Sequence, residues 1–157
     1  MCAIVDANVA HEVFGSNPSQ AGEQFFGWIE EGNNRLVVGG KLFEELEASS
    51  EEFRNWARQA IIARKMKVVD KKQVDTQTKE IEDNVEYKSN DPHVLALAQV
   101  SGARLLYSND GDLQEDFRDK NLIDQPRGKV YSTRVSKNFQ PTHKRLLADR
   151  NLCRPQE

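Results

Sequence analysis

The sequence predicts an α/β domain in which a central parallel sheet of four or five strands is flanked by helices in a three-layer sandwich. Three observations predict it. Short, largely apolar runs at 2–5, 35–38, 66–69 and 103–107 have the length of strands, and 103–107 the character of one buried on both faces. Stretches with helical spacing separate them, and strands alternating with helices imply a mostly parallel sheet. Acids stand at the ends of these strands, where open α/β sheets build their sites.

The first strand, Cys2 to Val5, is followed at once by Asp6-Ala7-Asn8. Asn17-Pro18-Ser19-Gln20 resembles a capping box with Pro18 at the first helical position. Ala21, Phe25, Trp28 and Ile29 then share one helical face, and Gly32-Asn33-Asn34 stops the helix. Arg35 to Val38 is the second strand. After Gly39-Gly40, Leu42, Phe43 and Leu46 mark the buried side of a helix, with Glu45 at its border. Ser49 with Glu52 reads as a second capping box, and Phe53, Trp56, Ala57, Ala60 and Ile61 form a core stripe. Met66 to Val69 is the third strand. Val74, Thr78, Ile81 and Val85 trace a charged amphipathic helix that needs packing to be stable.

The next stretch organises the rest. Asp91 caps a helix that has Pro92 in its first turn, and Gly102 suits its left-handed stop. Val94 to Val100 is apolar on most of its circumference. Ala103 to Tyr107 is the fourth strand, and Ser108, Asp110 and Asp112 follow it. Leu113 and Phe117 anchor a short helix. Gly128 to Tyr131 suits a fifth strand and Pro141 to Arg150 a last helix.

With 157 residues the chain can build one domain and one core. We take 1–157 as that single domain, with 119–157 as a basic C-terminal extension. No apolar run approaches the roughly 20 residues of a membrane span, and the start has no basic region of a signal peptide. Cys2 and Cys153 do not make a disulfide framework, so a reducing cytoplasm is the simplest reading. Net charge is −3, but it is uneven: residues 1–117 hold 12 Lys and Arg against 21 Asp and Glu, and residues 118–157 hold 10 against 4. A basic end on an acidic body points to nucleic acid or an acidic partner; a solvated tail is the plainer reading.

In a parallel sheet, Asp6, Glu45, Asp91 and Asp110 fall along one edge. Crowded like charges raise one another's pKa unless something neutralises them. A cluster of carboxylates without His or Cys favours Mg²⁺ or Mn²⁺ over zinc. Such ions activate water and stabilise the oxygens of an in-line phosphoryl displacement. We therefore expect Asp6, Asp91 and Asp110 to share a divalent cation.

Four segments, in this order, resemble the PIN domain family: Ile4-Val5-Asp6-Ala7-Asn8, Phe43-Glu44-Glu45-Leu46, Asn90 to Ala98, and Ser108 to Leu113. The resemblance covers roughly residues 2–118 and says nothing of 119–157. It implies a metal-dependent endoribonuclease, a fold found in many toxins of bacterial toxin–antitoxin pairs. By position it makes Asp6, Glu45, Asp91 and Asp110 the acidic quartet and Asp112 the variable fifth acid. Asn8 and Ser108 become small polar supports. Glu44 rivals Glu45, and Leu46 after it favours Glu45. RNA is then the substrate and an antitoxin protein a candidate partner. Apart from the resemblance, Arg127, Lys129, Arg134, Lys137, Lys144, Arg145, Arg150 and Arg154 are the candidates to attract RNA phosphates; the rival is that Leu146 and Leu147 dock this segment on the body or on a second subunit, as in a homodimer.

Two other readings compete. Asp6-Ala7-Asn8-Val9 with Gly111-Asp112 and Asp116 approximates a haloacid-dehalogenase-type phosphatase, although that family wants an acid where Asn8 stands. A PIN-like binding module without catalysis is the other, and it gives no reason to concentrate negative charge.

Overall fold

The computed structural model describes residues 1–154; the last three residues of the expected basic extension lie outside the described residues. Five strands form one sheet in the order β3-β2-β1-β4-β5, and every neighbouring pair is parallel. They are β1 (Cys2–Val5), β2 (Arg35–Gly39), β3 (Met66–Val69), β4 (Leu105–Tyr107) and β5 (Lys129–Tyr131). The helices are α1 (Ala10–Val13), α2 (Gln20–Glu30), α3 (Gly40–Ser49), α4 (Glu51–Ile62), α5 (Lys71–Asn84), α6 (Pro92–Ser101), α7 (Gly111–Arg118) and α8 (Pro141–Ala148). A single 3₁₀ turn, Ala7–Val9, precedes α1.

The order has a consequence for where a site can form. The chain steps outward from β1 to β2 to β3, then returns to lay β4 on the other side of β1. Right-handed crossovers therefore put the helices before and after that reversal on opposite faces of the sheet. The reversal lies between β1 and β4, the place where such sheets bind ligands outside their carboxyl ends.

Burial follows the sequence pattern. β1 and β4 are buried along their whole length, and α6 is buried from Pro92 to Ala98. The aromatic side chains Phe25, Tyr107 and Tyr131 pack as a cluster with centroids 4.7–5.1 Å apart. Two glycines with positive φ shape the helices that frame the carboxyl edge. Gly102 ends α6 at φ 85°, the left-handed cap. Gly40 has φ 56° and lies against Val74, which lets β2 turn directly into α3 and so places Glu45.

Two caps fall one or two residues from where the sequence puts them. Helix α2 starts at Gln20, with Ser19 as cap accepting from the Gly22 N–H, so Pro18 stands outside the helix. Ser50, not Ser49, caps α4 by accepting from the Phe53 N–H at 3.0 Å. In both cases the serine that reaches the third helical N–H wins.

The cysteine reading is corrected. Cys2 and Cys153 form a disulfide with Cα atoms 5.3 Å apart. The C-terminal segment returns to the amino end of the sheet: Cys153 pairs with Ala103, Arg104 N–H donates to Leu152 O, and Arg154 N–H donates to Gly102 O. That return brings residues 151 positions apart into bonding range. The end of the chain is also docked before this point. Trp28 Nε1 donates to Leu147 O at 2.9 Å, and His143 is buried against Tyr131 with Nε2 2.7 Å from Ser132 O.

Candidate metal centre at the carboxyl edge

Asp6 leaves the end of β1 and its backbone N–H donates to Tyr107 O on β4 at 2.9 Å. Its carboxylate is buried and caps nothing; Oδ2 accepts from Ser108 Oγ at 2.7 Å. The same Ser108 oxygen accepts from the Asp110 N–H at 3.1 Å. One hydroxyl therefore ties the end of β1 to the loop after β4. Burial pushes the Asp6 carboxyl up; the Ser108 hydrogen bond opposes this, and the charges of Asp91 and Glu45 add to it.

Asp91 occupies the N-cap position of α6, yet its side chain makes no capping hydrogen bond. Its carboxylate is thus available for other work. Its pKa is raised by burial first and by the Asp110 and Glu45 charges, while His93 and Lys41 pull it down. Its backbone is held from behind: Asp91 N–H donates to Ser89 Oγ, and the buried Asp116 carboxylate accepts from the Lys88 and Ser89 N–H groups.

Glu45 reaches the same place from α3. Its Oε1 lies 2.7 Å from Nε2 of His93, which is buried in the first turn of α6. Glu44 is exposed. Ligand atoms of Glu45, Asp91 and His93 all lie within 4.8 Å of one another. Of the three acids expected to share a cation, only Asp91 belongs to this tight group; Asp6 and Asp110 flank it within electrostatic reach. The expectation of a cluster without histidine is corrected, because Pro92 starts α6 so that its second residue turns inward.

Asp110 does cap its helix. Its Oδ1 accepts from the N–H groups of Asp112 and Leu113, at 3.0 and 3.3 Å. Asp112 is exposed on the first turn of α7. Asn8 is exposed too.

Behind these residues lies a buried carboxylate that the sequence reading passed over. Glu12 is 4% exposed. It accepts from Ser19 Oγ, Tyr107 OH, Thr133 Oγ1 and Asn109 Nδ2 at 2.8–3.3 Å. Asn109 Oδ1 in turn accepts from Thr133 N–H and Ser132 Oγ. The loop carrying Asp110 is thus pinned to α1, α2 and the segment after β5. The available signal was a glutamate set inside the apolar run Val9-Ala10-His11-Glu12-Val13-Phe14.

The donor set fits a hard or borderline divalent cation. Carboxylates from three elements converge, two of them destabilised in their charged form by burial and by neighbouring carboxylates, with one imidazole alongside. Among the described residues, no helix is long and apolar enough to cross a membrane.

The profile of the PIN domain matches residues 3–118. No curated protein matches the chain significantly. Among solved structures, it is similar to a chain in the crystal structure of VapBC2 from Rickettsia felis bound to a DNA fragment from their promoter. The two are 14% identical, the match covers 84% of this chain and 98% of that one, and the TM-score is 0.44. At that identity and score, no residue role carries across. The family profile, matching residues 3–118, shows that the chain belongs to the PIN domain family.

Proposed function

We propose that the protein is a metal-dependent endoribonuclease that hydrolyses RNA phosphodiester bonds at the acidic edge between β1 and β4. The observation that carries this is the convergence of Asp6, Glu45 and Asp91, with the Asp6 and Asp91 carboxyls raised by burial and by neighbouring charges and neither of those two side chains making a capping hydrogen bond. A fold gains nothing from that arrangement unless a cation neutralises it.

Glu45 and Asp91 would hold Mg²⁺ or Mn²⁺ on one side, with Asp6 and Asp110 on the other. When bound, the ion supplies the charge that activates water and steadies the oxygens of an in-line displacement. The chain's own work is placement. Ser108 fixes Asp6 and the Asp110 loop with one hydroxyl. His93 orients Glu45, and Asp116 holds the turn before Asp91. Asp110 keeps α7 capped with one oxygen and can offer the other. Asp112, Asn8 and residues 119–157 complete the proposal: Asp112 as an outer acid, Asn8 as a small polar support, and the basic extension as part of the same domain.

RNA is the substrate in this reading. A toxin role would add an antitoxin protein as partner, a homodimer is the assembly to look for, and the cytoplasm is the compartment that goes with all three. There the Cys2–Cys153 pair would act as a thiol–disulfide couple and not as a permanent staple.

Two rival activities have less support. In a phosphatase of the haloacid dehalogenase type, Asp116 would serve the metal loop; here it accepts two backbone N–H groups and is buried away from solvent. A binding module needs no crowded acids. Incubating single-stranded RNA, single-stranded DNA and p-nitrophenyl phosphate with Mn²⁺ and with EDTA tests the choice. RNA cut only with metal supports the reading; phosphatase turnover with intact RNA removes it.

A further inference from the structure

The acidic edge creates a problem for its own substrate, since RNA carries a negative charge at every phosphate. The basic end of the chain offers the remedy, but the fold distributes it unevenly. Lys129 starts β5 and pairs with Asp149, while Arg154 is bonded at Gly102, so both stand at the amino end of the sheet. Arg145 lies beside Lys129 and Asp149. None of these faces the acids.

Arg134 is different. β5 is parallel to β4, so the segment that leaves its carboxyl end arrives at the same edge as Asp6 and Asp110. The Arg134 guanidinium lies against Gly111, between Asp110 and Asp112: a Cβ built on Gly111 would sit 2.7 Å from Nη1. Nη1 is 3.4 Å from Gln114 Oε1, and Gln114 is buried, donating through Nε2 to Ser108 O at 2.6 Å. A chain of contacts thus runs from the serine that orients Asp6 to the arginine. Among the described residues Arg134 is in no ion pair, and it is exposed. Its other guanidinium N–H groups have no protein partner among the described residues. A planar fork of N–H donors matches a phosphate as a lysine cannot.

We infer that Arg134 is a substrate-contacting residue, its guanidinium taking a backbone phosphate of RNA beside the acidic edge, with Gly111 left bare to seat it. This rests on the ribonuclease reading above. It also singles out one arginine from a basic segment of ten cations as the one that matters for binding.

The test is the affinity of a fluorescein-labelled single-stranded oligouridine in Ca²⁺, titrated at several salt concentrations, with the RNA checked for integrity afterwards. Arg134→Ala is expected to weaken binding about tenfold. It should also flatten the log–log salt slope by about 0.7, the value of one phosphate contact on a single strand. Arg134→Lys should recover part of the affinity. Gly111→Ala, which favours the helix but displaces the guanidinium, should weaken binding without lowering the melting temperature. The paired change Lys144→Ala with Arg145→Ala should bind nearly as the unaltered protein. Mn²⁺ affinity, read by calorimetry, should be the same in Arg134→Ala as in the unaltered protein. Unchanged affinity and slope in Arg134→Ala overturn the assignment while leaving the nuclease reading standing. If the unaltered protein binds no RNA, the proposed function falls and the assignment with it.

Discussion

Thr133 Oγ1 lies 2.8 Å and 3.0 Å from the two carboxylate oxygens of Glu12, a residue 121 positions earlier in the chain. The pair joins the first helix to the segment leaving the last strand, and Asn109 beside it carries the link to Asp110.

Glu12 is therefore expected to matter for both stability and activity. Glu12→Ala strands the Ser19, Tyr107 and Thr133 hydroxyls in a buried place and should cost about 3 kcal/mol by urea unfolding. Glu12→Gln keeps the volume but sets an N–H₂ against hydroxyl donors, and should cost roughly half as much. In both, cleavage per folded molecule should fall, because the Asp110 loop loses its anchor. Stability within about 0.5 kcal/mol of the unaltered protein for Glu12→Ala would refute this.

Asp6 and Asp91 give the metal-free protein a pH signature. Both folded pKa values are raised, so the protonated forms favour folding. This contribution is fully present below the ordinary aspartate value of 3.8 and is lost as pH rises through the raised values. In EDTA, Asp6→Asn should gain stability relative to the unaltered protein as pH goes from about 4 to 7. Saturating Mn²⁺ should reverse the order, stabilising the unaltered protein more. Parallel stability–pH curves for the two proteins would contradict the raised value.

Asp110 separates capping from catalysis. Asn caps as well as Asp, so Asp110→Asn should unfold at nearly the same urea concentration while losing most cleavage. Asp110→Ala should lose the cleavage and also about 1 kcal/mol of stability. Full activity in a folded Asp110→Asn would leave this acid as a cap alone.

The disulfide closes a loop of 151 residues, and the chain-entropy account sets its contribution at up to about 5 kcal/mol. Dithiothreitol, or Cys153→Ser, should lower unfolding stability by about 2–5 kcal/mol. Truncation after residue 136 should destabilise at least as much, since it also removes α8 with His143 and the Trp28–Leu147 contact. Equal melting temperatures with and without reductant would contradict the cross-link.

Much of this fold was legible because its signals are local. β1 to β4 read as strands from three or four apolar residues each, and α6 from Pro92, an apolar run and Gly102. The acids read as a candidate site because Asp6 and Asp110 follow strands, and Leu46 favours Glu45 over Glu44. What escaped depends on tertiary return. Glu12 looks like one more exposed glutamate until Thr133 and Tyr107 arrive from across the sheet. Cys153 pairs with Cys2 only after the tail folds back past Ala103. His93 was in plain view beside Asp91, but its direction depends on where α6 starts. The basic excess at 118–157 suggested one RNA-binding surface, whereas the fold spends Lys129 on Asp149 and leaves Arg134 at the acids.

The most direct test of the acidic edge is cleavage of single-stranded RNA by the unaltered protein and by Asp91→Asn, each with Mn²⁺ and with EDTA. Asp91 makes no capping bond, so its loss should leave the fold intact. The account predicts cleavage by the unaltered protein only with metal, and a fall of at least about a hundredfold in Asp91→Asn at unchanged melting temperature. RNA left whole by the unaltered protein in saturating Mn²⁺, or cut equally fast by folded Asp91→Asn, would contradict it.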